Sequence, residues 1–587
     1  MNKEKIQEQF HYFNIQAGID SVYGNWAVST EGDVVNSLFP YAILAIHLKD
    51  TDWMDKMKTK VWFRSESEES LNKALDRAYE IMRERKLYIN KNMFKEQILE
   101  PILKNIAGYP DNNAFCIEEK FFSYGEFGQQ VAKVRSLIQS RNIKNRNVGL
   151  VTNNDVITYA SIIALWLDGY CYVPLHIKQP IDRCNSIIDQ VGIDTILDSS
   201  KKTRYDESLV VRTNLDTAIT ADLSIKEGVS EDDLAYILFT SGSTGLPKGV
   251  TLTRNNIGSF MDSFWATGID VTREDKCLQC FDLTFDVSVQ CYLTGLIKGA
   301  CVYTTPYGEG KYLYVAGLID EYKLTFAVMA PSMLRFMLPF FDQLDMTSLK
   351  GCILTAEACP KNLLEIAYKQ CPNVELYDFY GPTETTIYCT FYRLSREIEN
   401  KELNGIISIG KPLKHCVGVI LDDKLNELPD GEKGELCIAG DQVTKGYWNN
   451  PEKNASSFFT LDYKGQKMRF YHTGDLCYKD ADGDIMYSGR MDNQVKIQGF
   501  RIELGEIEYH AREVLNRNIV CLAKEQNGIN TLYLVIEGEA VDTTELVKYM
   551  KSKMPSYMIP QNISFMSSFP LNNSDKIDRP KIKSMIC

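Results

Sequence analysis

From about residue 93 onward the chain alternates short apolar runs with longer amphipathic stretches. The runs 147–152, 235–239 and 417–421 are brief, rich in β-branched and aromatic residues, and bounded by polar turns, which predicts strands. Between such runs lie helical patterns, as over 161–167 after Asn153 and Asn154. Alternation of this kind predicts an α/β fold in which mostly parallel sheets are covered by helices. The first 92 residues read differently. Leu71, Ala74, Leu75, Ala78, Ile81 and Met82 share one helical face, with Ser65 and Glu68 placed as a capping box, so a mainly helical accessory unit is expected over 1–92. After Asp492 the pattern changes again, with a helix near 504–514, strands near 519–523 and 531–536, and a turn-rich run at 554–560. The resulting division is 1–92, a core over 93–491, and a small α+β unit over 492–587.

Length and charge narrow the picture. At 587 residues the chain exceeds what one core supports. A net charge of −13 argues against a nucleic-acid partner. Sixteen cysteines lie scattered within apolar runs, as at Cys277, Cys280 and Cys352, and predict reduced, buried thiols. None of the six histidines falls in a His-x-x-x-His pattern, so no transition-metal site is expected. The N-terminus has no signal-type apolar stretch, and the segment 34–46 is too short and too interrupted, by Asn36 and Pro40, to span a bilayer. A cytoplasmic location and no membrane partner are the expectation.

The chemically richest segment is Leu238-Phe-Thr-Ser-Gly-Ser-Thr-Gly-Leu-Pro-Lys-Gly-Val250. Thr240, Ser241, Gly242, Ser243, Thr244 and Gly245 follow a strand and offer hydroxyls and backbone N–H groups, while Lys248 supplies positive charge. Such a loop can wrap a polyphosphate. Its spacing is not that of the nucleoside-triphosphate P-loop.

This run resembles the phosphate-binding loop of the adenylate-forming superfamily, which comprises acyl-CoA ligases, luciferases and the adenylation domains of nonribosomal peptide synthetases. Further motifs follow in family order: Leu167-Asp-Gly-Tyr-Cys-Tyr-Val-Pro174, Phe281-Asp-Leu-Thr-Phe-Asp286, Tyr380-Gly-Pro-Thr-Glu-Thr-Thr386, Gly434-Glu-Leu-Cys-Ile-Ala-Gly440, Tyr471-His-Thr-Gly-Asp475 and the run from Gly489 to Glu506. The resemblance covers roughly 124–579 and implies ATP and Mg²⁺ as cofactors. By the same resemblance Tyr380 stacks on adenine, Glu384 holds Mg²⁺, Thr383 lies beside the α-phosphate, and Asp475 accepts the ribose hydroxyls with Arg490 in support. Lys576, in Asn572-Asn-Ser-Asp-Lys-Ile-Asp-Arg579, corresponds to the catalytic lysine. A cation there offsets the repulsion between substrate carboxylate and α-phosphate. Asp575 departs from the glycine usual before that lysine. Asp492 resembles the hinge about which the C-terminal unit turns between adenylate and thioester formation, exchanging Lys576 for the Gly499-Phe-Arg501 loop.

Asp286 matches the aspartate that pairs with the substrate α-ammonium in amino-acid adenylation domains. The same alignment assigns the side-chain pocket to Asp286, Val287, Gln290, Val328, Ile353, Thr355, Phe379, Ile387 and Tyr388. Its first five members resemble those of proline-activating domains, whereas Phe379 and Tyr388 are bulkier than usual. An apolar lining with a large far wall suits a small side chain, so proline or a close analogue is expected first, then alanine, serine or another small amino acid. Phe281 corresponds to an aromatic gate in relatives. No carrier segment follows the lysine motif before Cys587, so, if this is the natural chain and not an excised piece, the acceptor thiol is expected on a separate phosphopantetheinylated carrier protein. A free-standing enzyme is expected on that reading, a layout shared by the D-alanine-activating ligases of cell-wall modification. The competing readings are an acyl- or aryl-CoA ligase and an inactive adenylation-like scaffold.

Overall fold

The computed structural model describes residues 93–586 except 142, 243–244, 309, 493, 527–528 and 573–576, together with four short strands in the first 92 residues. Among those strands Tyr41–Ile46 pairs antiparallel with Lys60–Ser65. The helical face expected over 71–82 lies outside the described residues, while Ser65, expected in its capping box, ends the strand Lys60–Ser65. Residues 1–92 and 464–466 form one compact unit, and 93–463 with 467–587 form the other. All that follows concerns the second unit.

Two large sheets make its core. The first has seven strands in the order 210–212, 196–198, 147–152, 171–176, 234–240, 248–253, 446–447. It is parallel as far as Leu234–Thr240 and antiparallel beyond. Every residue of Asn147–Thr152 and Cys171–His176 is buried, as a sheet covered on both faces requires. The helix Val156–Leu167 begins where the Asp155 side chain accepts the Thr158 N–H at 2.7 Å, and it is buried nearly all round. Trp166 ties it to the sheet by donating to the Ala235 carbonyl at 2.9 Å.

The second sheet has nine strands, in the order 411–412, 390–393, 375–380, 351–355, 326–329, 276–279, 301–304, 113–117, 120–123. Its centre is parallel and its margins antiparallel. Helix Asp286–Lys298 packs on it and stops at Gly299, whose φ of +80° is the left-handed conformation that ends a helix. A third, antiparallel sheet over 416–490 completes this part. The parallel expectation therefore holds for the sheet centres, while the last strands before Arg490 pair by hairpins.

The C-terminal part carries a hairpin, Gln494–Ile497 with Phe500–Glu503, then the helix Leu504–Val514 and a three-stranded sheet of 519–526, 529–537 and 562–566. Ile502, Ile507, Leu532, Leu534, Ile536 and Met550 give it a core of its own. All fifteen cysteines among the described residues are buried, and none of them is in a disulfide. No described helix is long and apolar enough to cross a membrane.

Candidate active site

The phosphate loop connects two antiparallel strands whose last pair is Thr240 opposite Lys248. Its tightness depends on glycine: a Cβ at Gly242 would lie 2.1 Å from the Leu246 carbonyl oxygen, and Gly245 has φ +83°. Ser243 and Thr244 lie outside the described residues. The Thr240 hydroxyl is buried and without a hydrogen-bond partner. The remaining groups of the loop face the C-terminal hairpin and the helix that follows it. The Gly242 N–H donates to Glu506 Oε2 at 2.9 Å. The Ser241 hydroxyl donates to the Arg501 carbonyl and accepts from the Glu503 N–H, each at 3.1 Å. Lys248 Nζ lies 3.3 Å from Glu503 Oε1. Burial, then the Arg501 charge, pull the Lys248 ammonium below its ordinary range. A buried pair, Arg183 with Glu506 at 2.7 Å, fastens the same helix to the core.

Glu384 is fully buried beside this loop. Its Oε1 accepts the Tyr447 hydroxyl at 2.7 Å and its Oε2 meets Arg501 Nη1 at 2.6 Å. Burial alone would raise this carboxyl, but Arg501 and Lys248 outweigh it and hold it at about 2. Thr383 and Glu384 belong to a single helical turn, 383–385, on which the strand segment after 440 closes: the Thr444 N–H donates to the Glu384 carbonyl at 2.9 Å.

Tyr380 ends a central strand of the nine-stranded sheet, and its hydroxyl donates to Asp475. Arg490 joins them, with Nη1 3.0 Å from Asp475 Oδ1 and 2.8 Å from the Thr473 carbonyl. The same guanidinium reaches Asp492 through Nε at 2.9 Å. Tyr380, Asp475, Arg490 and Asp492 thus form one polar chain, running from the sheet to the start of the C-terminal part. Lys496 lies over the Tyr380 ring at 5.4 Å, its ammonium pulled down by burial. The motif run 489–506 contains Lys496 without giving it a role, because its place over Tyr380 depends on the long-range docking of the hairpin. A cavity of about 900 Å³ opens here, with Glu357, Tyr487, Arg490 and Lys496 on its wall.

Asp286, Val287 and Gln290 occupy the first turns of helix Asp286–Lys298, while Val328, Ile353, Thr355 and Phe379 come from the C-terminal halves of three adjacent strands. Ile387 and Tyr388 arrive from the loop after Glu384. All nine are buried. Their convergence outside the carboxyl ends of parallel strands is where ligands bind in α/β sheets. Asp286 Oδ2 is buried with no hydrogen-bond partner. Desolvation pushes this carboxyl up to about 6, against the opposing Thr383 hydroxyl and Val287 N–H. A buried carboxylate oxygen left without a partner favours a cationic group beside it.

Lys576 lies outside the described residues, while its neighbours belong to the C-terminal part. Leu571 bridges Ile577, Asp578 caps the last helix, and Arg579 pairs with Glu508 at 2.7 Å. The group facing the core is instead the hairpin: Gly499 N–H donates to Glu357 Oε1 at 2.8 Å, and Phe500 stacks on Tyr557 at 4.0 Å. Behind the hairpin lies a second cavity, of about 710 Å³, walled by His176, Phe281, Asp282, Phe285, Phe500 and Tyr557 among others. Lys311 bonds Asp282 there at 2.9 Å.

Residues 102–448 match the model of the AMP-binding enzyme family. The chain belongs to that family. Tyrocidine synthase 3 of Brevibacillus parabrevis is 31% identical over 81% of this chain, although the match spans 7% of the synthase. For tyrocidine synthase 1 the figure is 43% of its length, so the chain covers under half of these multidomain relatives. The D-alanine–D-alanyl carrier protein ligase of Bacillus velezensis is 30% identical over 83% of this chain and 99% of its own length. Among solved structures, the Vibrio cholerae adenylation domain AlmE, in complex with glycyl-adenosine-5′-phosphate, has a TM-score of 0.73 at 23% identity and covers 83% of this chain and 97% of its own. PA1221, a nonribosomal peptide synthetase protein with adenylation and carrier domains, gives the same TM-score and identity over 84% of each chain. For the AMP-binding enzyme described here these likenesses establish the fold, and its motifs fall on the elements that converge on the site.

Proposed function

We propose that this AMP-binding enzyme activates a small amino acid with ATP, forming the aminoacyl-adenylate, and then passes the aminoacyl group to the phosphopantetheine thiol of a separate carrier protein. The observation that carries the reading is Asp286, a buried carboxylate with an unpartnered oxygen and the one charged side chain among the nine residues assigned to the pocket. Paired with an α-ammonium, it gives a charge-neutral site. With a fatty or aryl acid it would stay unpaired at a cost of several kcal/mol. Similarity to the carrier protein ligase along nearly its whole length supports the acceptor.

The chemistry follows from the neighbours. In the first step a substrate carboxylate oxygen forms a bond to the α-phosphorus as the bond to pyrophosphate breaks. Lys248, Ser241 and the Gly242 N–H are the groups for the phosphates, with Thr240, Ser243 and Thr244 beside them in sequence. Tyr380, Asp475 and Arg490 are those for the nucleoside, and Thr383 is that for the α-phosphate. Glu384, buried beside the phosphate loop, is the residue that would hold a magnesium ion once its Arg501 partner is displaced. Such an ion supplies charge neutralisation. Lys576 is the cation proposed between the two reacting anions. In the second step the thiol sulfur attacks the acyl carbon, its proton leaves, and AMP departs. The cavity behind Phe281 and Phe500 supports entry of a flexible thiol-bearing arm while the hairpin is docked.

The deciding test is ATP–pyrophosphate exchange across the amino acids, their D-forms, and a few fatty and aryl acids. Exchange driven by a small amino acid is expected, with loss of about 10²-fold or more in kcat/KM for Asp286→Ala, the effect of leaving an ammonium unpaired in a buried site. Exchange driven only by fatty or aryl acids, unaffected by that substitution, would assign the enzyme to the CoA ligases.

A further inference from the structure

We infer that Tyr388 closes the side-chain pocket to anything larger than a methyl group, with Gln442 as the positioning residue that holds it there, so that the substrate is glycine or alanine. The inference rests on the adenylation reading and narrows it.

Tyr388 is fully buried. It leaves the chain in the loop after Glu384, yet its hydroxyl reaches 3.5 Å from Gln290 Oε1, one turn beyond Asp286 on the helix. The Thr355 hydroxyl, at the end of a central strand, lies within hydrogen-bonding reach of the same phenol. Gln290 and Thr355 belong to two different walls of the pocket. A ring that touches both stands in the volume where a substrate side chain would go. Its far face is closed by Phe379 at 4.9 Å and Phe260 at 5.8 Å, which leaves no apolar space into which the ring can retreat. Swinging it aside would also take the buried Tyr388 hydroxyl away from Gln290.

The loop that delivers Tyr388 is strained. Thr386 and Ile387 have φ of +60° and +69°, a conformation that β-branched residues rarely adopt. Its support is Gln442, which is fully buried and carried by the segment after strand Gly434–Gly440. The Gln442 Nε2 donates to the Tyr388 carbonyl at 2.6 Å and to the Thr385 carbonyl at 3.3 Å, and the Thr386 hydroxyl donates to the Gln442 carbonyl. The amide therefore sets where the Tyr388 ring begins, while Gln290 and Thr355 set where it ends. The inference assigns the substrate ammonium and α-carbon to Asp286 and Val287, one turn before Gln290 on the same helix.

The experiment is pyrophosphate exchange by the full chain with glycine, both alanine enantiomers, serine, proline, valine and leucine. Glycine or alanine is expected to give the highest kcat/KM. Proline and valine should fall roughly tenfold or more below it, the discrimination a filled pocket exerts on each extra methylene. Tyr388→Ala should raise the ratio of valine or proline to alanine by about tenfold, and Gln442→Ala should raise it in the same direction. The ratio is the readout because a general loss of structure lowers all substrates together. Best turnover with proline, valine or leucine would overturn the inference and leave the adenylation reading standing. An unchanged ratio in a folded Tyr388→Ala protein would overturn the role of Tyr388. Silence with every acid would overturn both readings. Should Tyr388→Ala fail to fold, the wild-type panel decides by itself.

Discussion

Asp286 is kept at a cost to stability. Its carboxyl is pushed up to about 6, well above the ordinary aspartate value, because the folded protein desolvates it without an adequate partner. The sign of the linkage follows. The folded state disfavours the ionised form, so the penalty is absent below the unfolded pKa and grows as pH rises through about 6, reaching full size above it. Asp286→Asn should accordingly raise thermal stability at pH 8, by an order of 1–3 kcal/mol, and raise it far less at pH 4. The same variant should lose amino-acid-dependent exchange. Melting curves at the two pH values check the first part, and equal stabilisation at both would show that Asp286 is not the strained carboxyl described. For the native enzyme, kcat/KM for the amino acid should decline as pH falls below about 6, when the carboxyl takes up the proton that the ammonium would otherwise displace.

At the scale of an element, the phosphate loop is a turn whose backbone, more than its side chains, makes the site. Seven residues close between the paired Thr240 and Lys248, and that closure brings the Leu246 carbonyl against the Gly242 α-carbon. Gly242→Ala should therefore deform the loop while the all-buried strands behind it stay folded. The expected outcome is a rise of about tenfold or more in KM for ATP with little change in melting temperature, measured by exchange kinetics beside calorimetry. Gly245 is constrained differently. A Cβ there would lie 2.2 Å from the Tyr509 ring of the C-terminal helix, so substitution interferes with docking as well as with the turn.

For the molecule as a whole, the docked C-terminal part occupies the groups proposed above for phosphate and metal. Glu506 takes the Gly242 N–H, Glu503 takes Lys248, and Arg501 takes Glu384. On the proposed assignment, carboxylates stand where phosphates would go, and a guanidinium stands where a cation would. This arrangement and a bound Mg·ATP are mutually exclusive at those atoms, which fits a rotation about Asp492 between the two half-reactions. Arg183→Ala removes the buried partner of Glu506 and should weaken docking by a few kcal/mol. Transfer to the carrier thiol, followed in a single turnover, should slow by at least about tenfold while pyrophosphate exchange is spared. Equal losses in both steps would mean that the Arg183–Glu506 pair serves the fold alone.

Much of this was legible along the chain because it is local. The helix 504–514, the strand 147–152 and the glycine-rich loop each depend on neighbours in sequence, through hydrophobic period, capping and turn chemistry. The ordered motifs likewise name Asp286, Glu384, Tyr380 and Asp475 before any coordinate is known. The reach of Tyr388 across the pocket, the hold of Gln442 on a strained loop, the cover of Lys496 over Tyr380 and the filling of the phosphate loop by Glu503 and Glu506 were not legible. Each joins residues tens to hundreds of positions apart, and each depends on where a buried side chain ends, which packing between elements settles. Sequence alone determined the family and the chemistry of the groups; the tertiary structure decided how much room they leave and which of them are already engaged, because volume and charge pairing are properties of the assembled core.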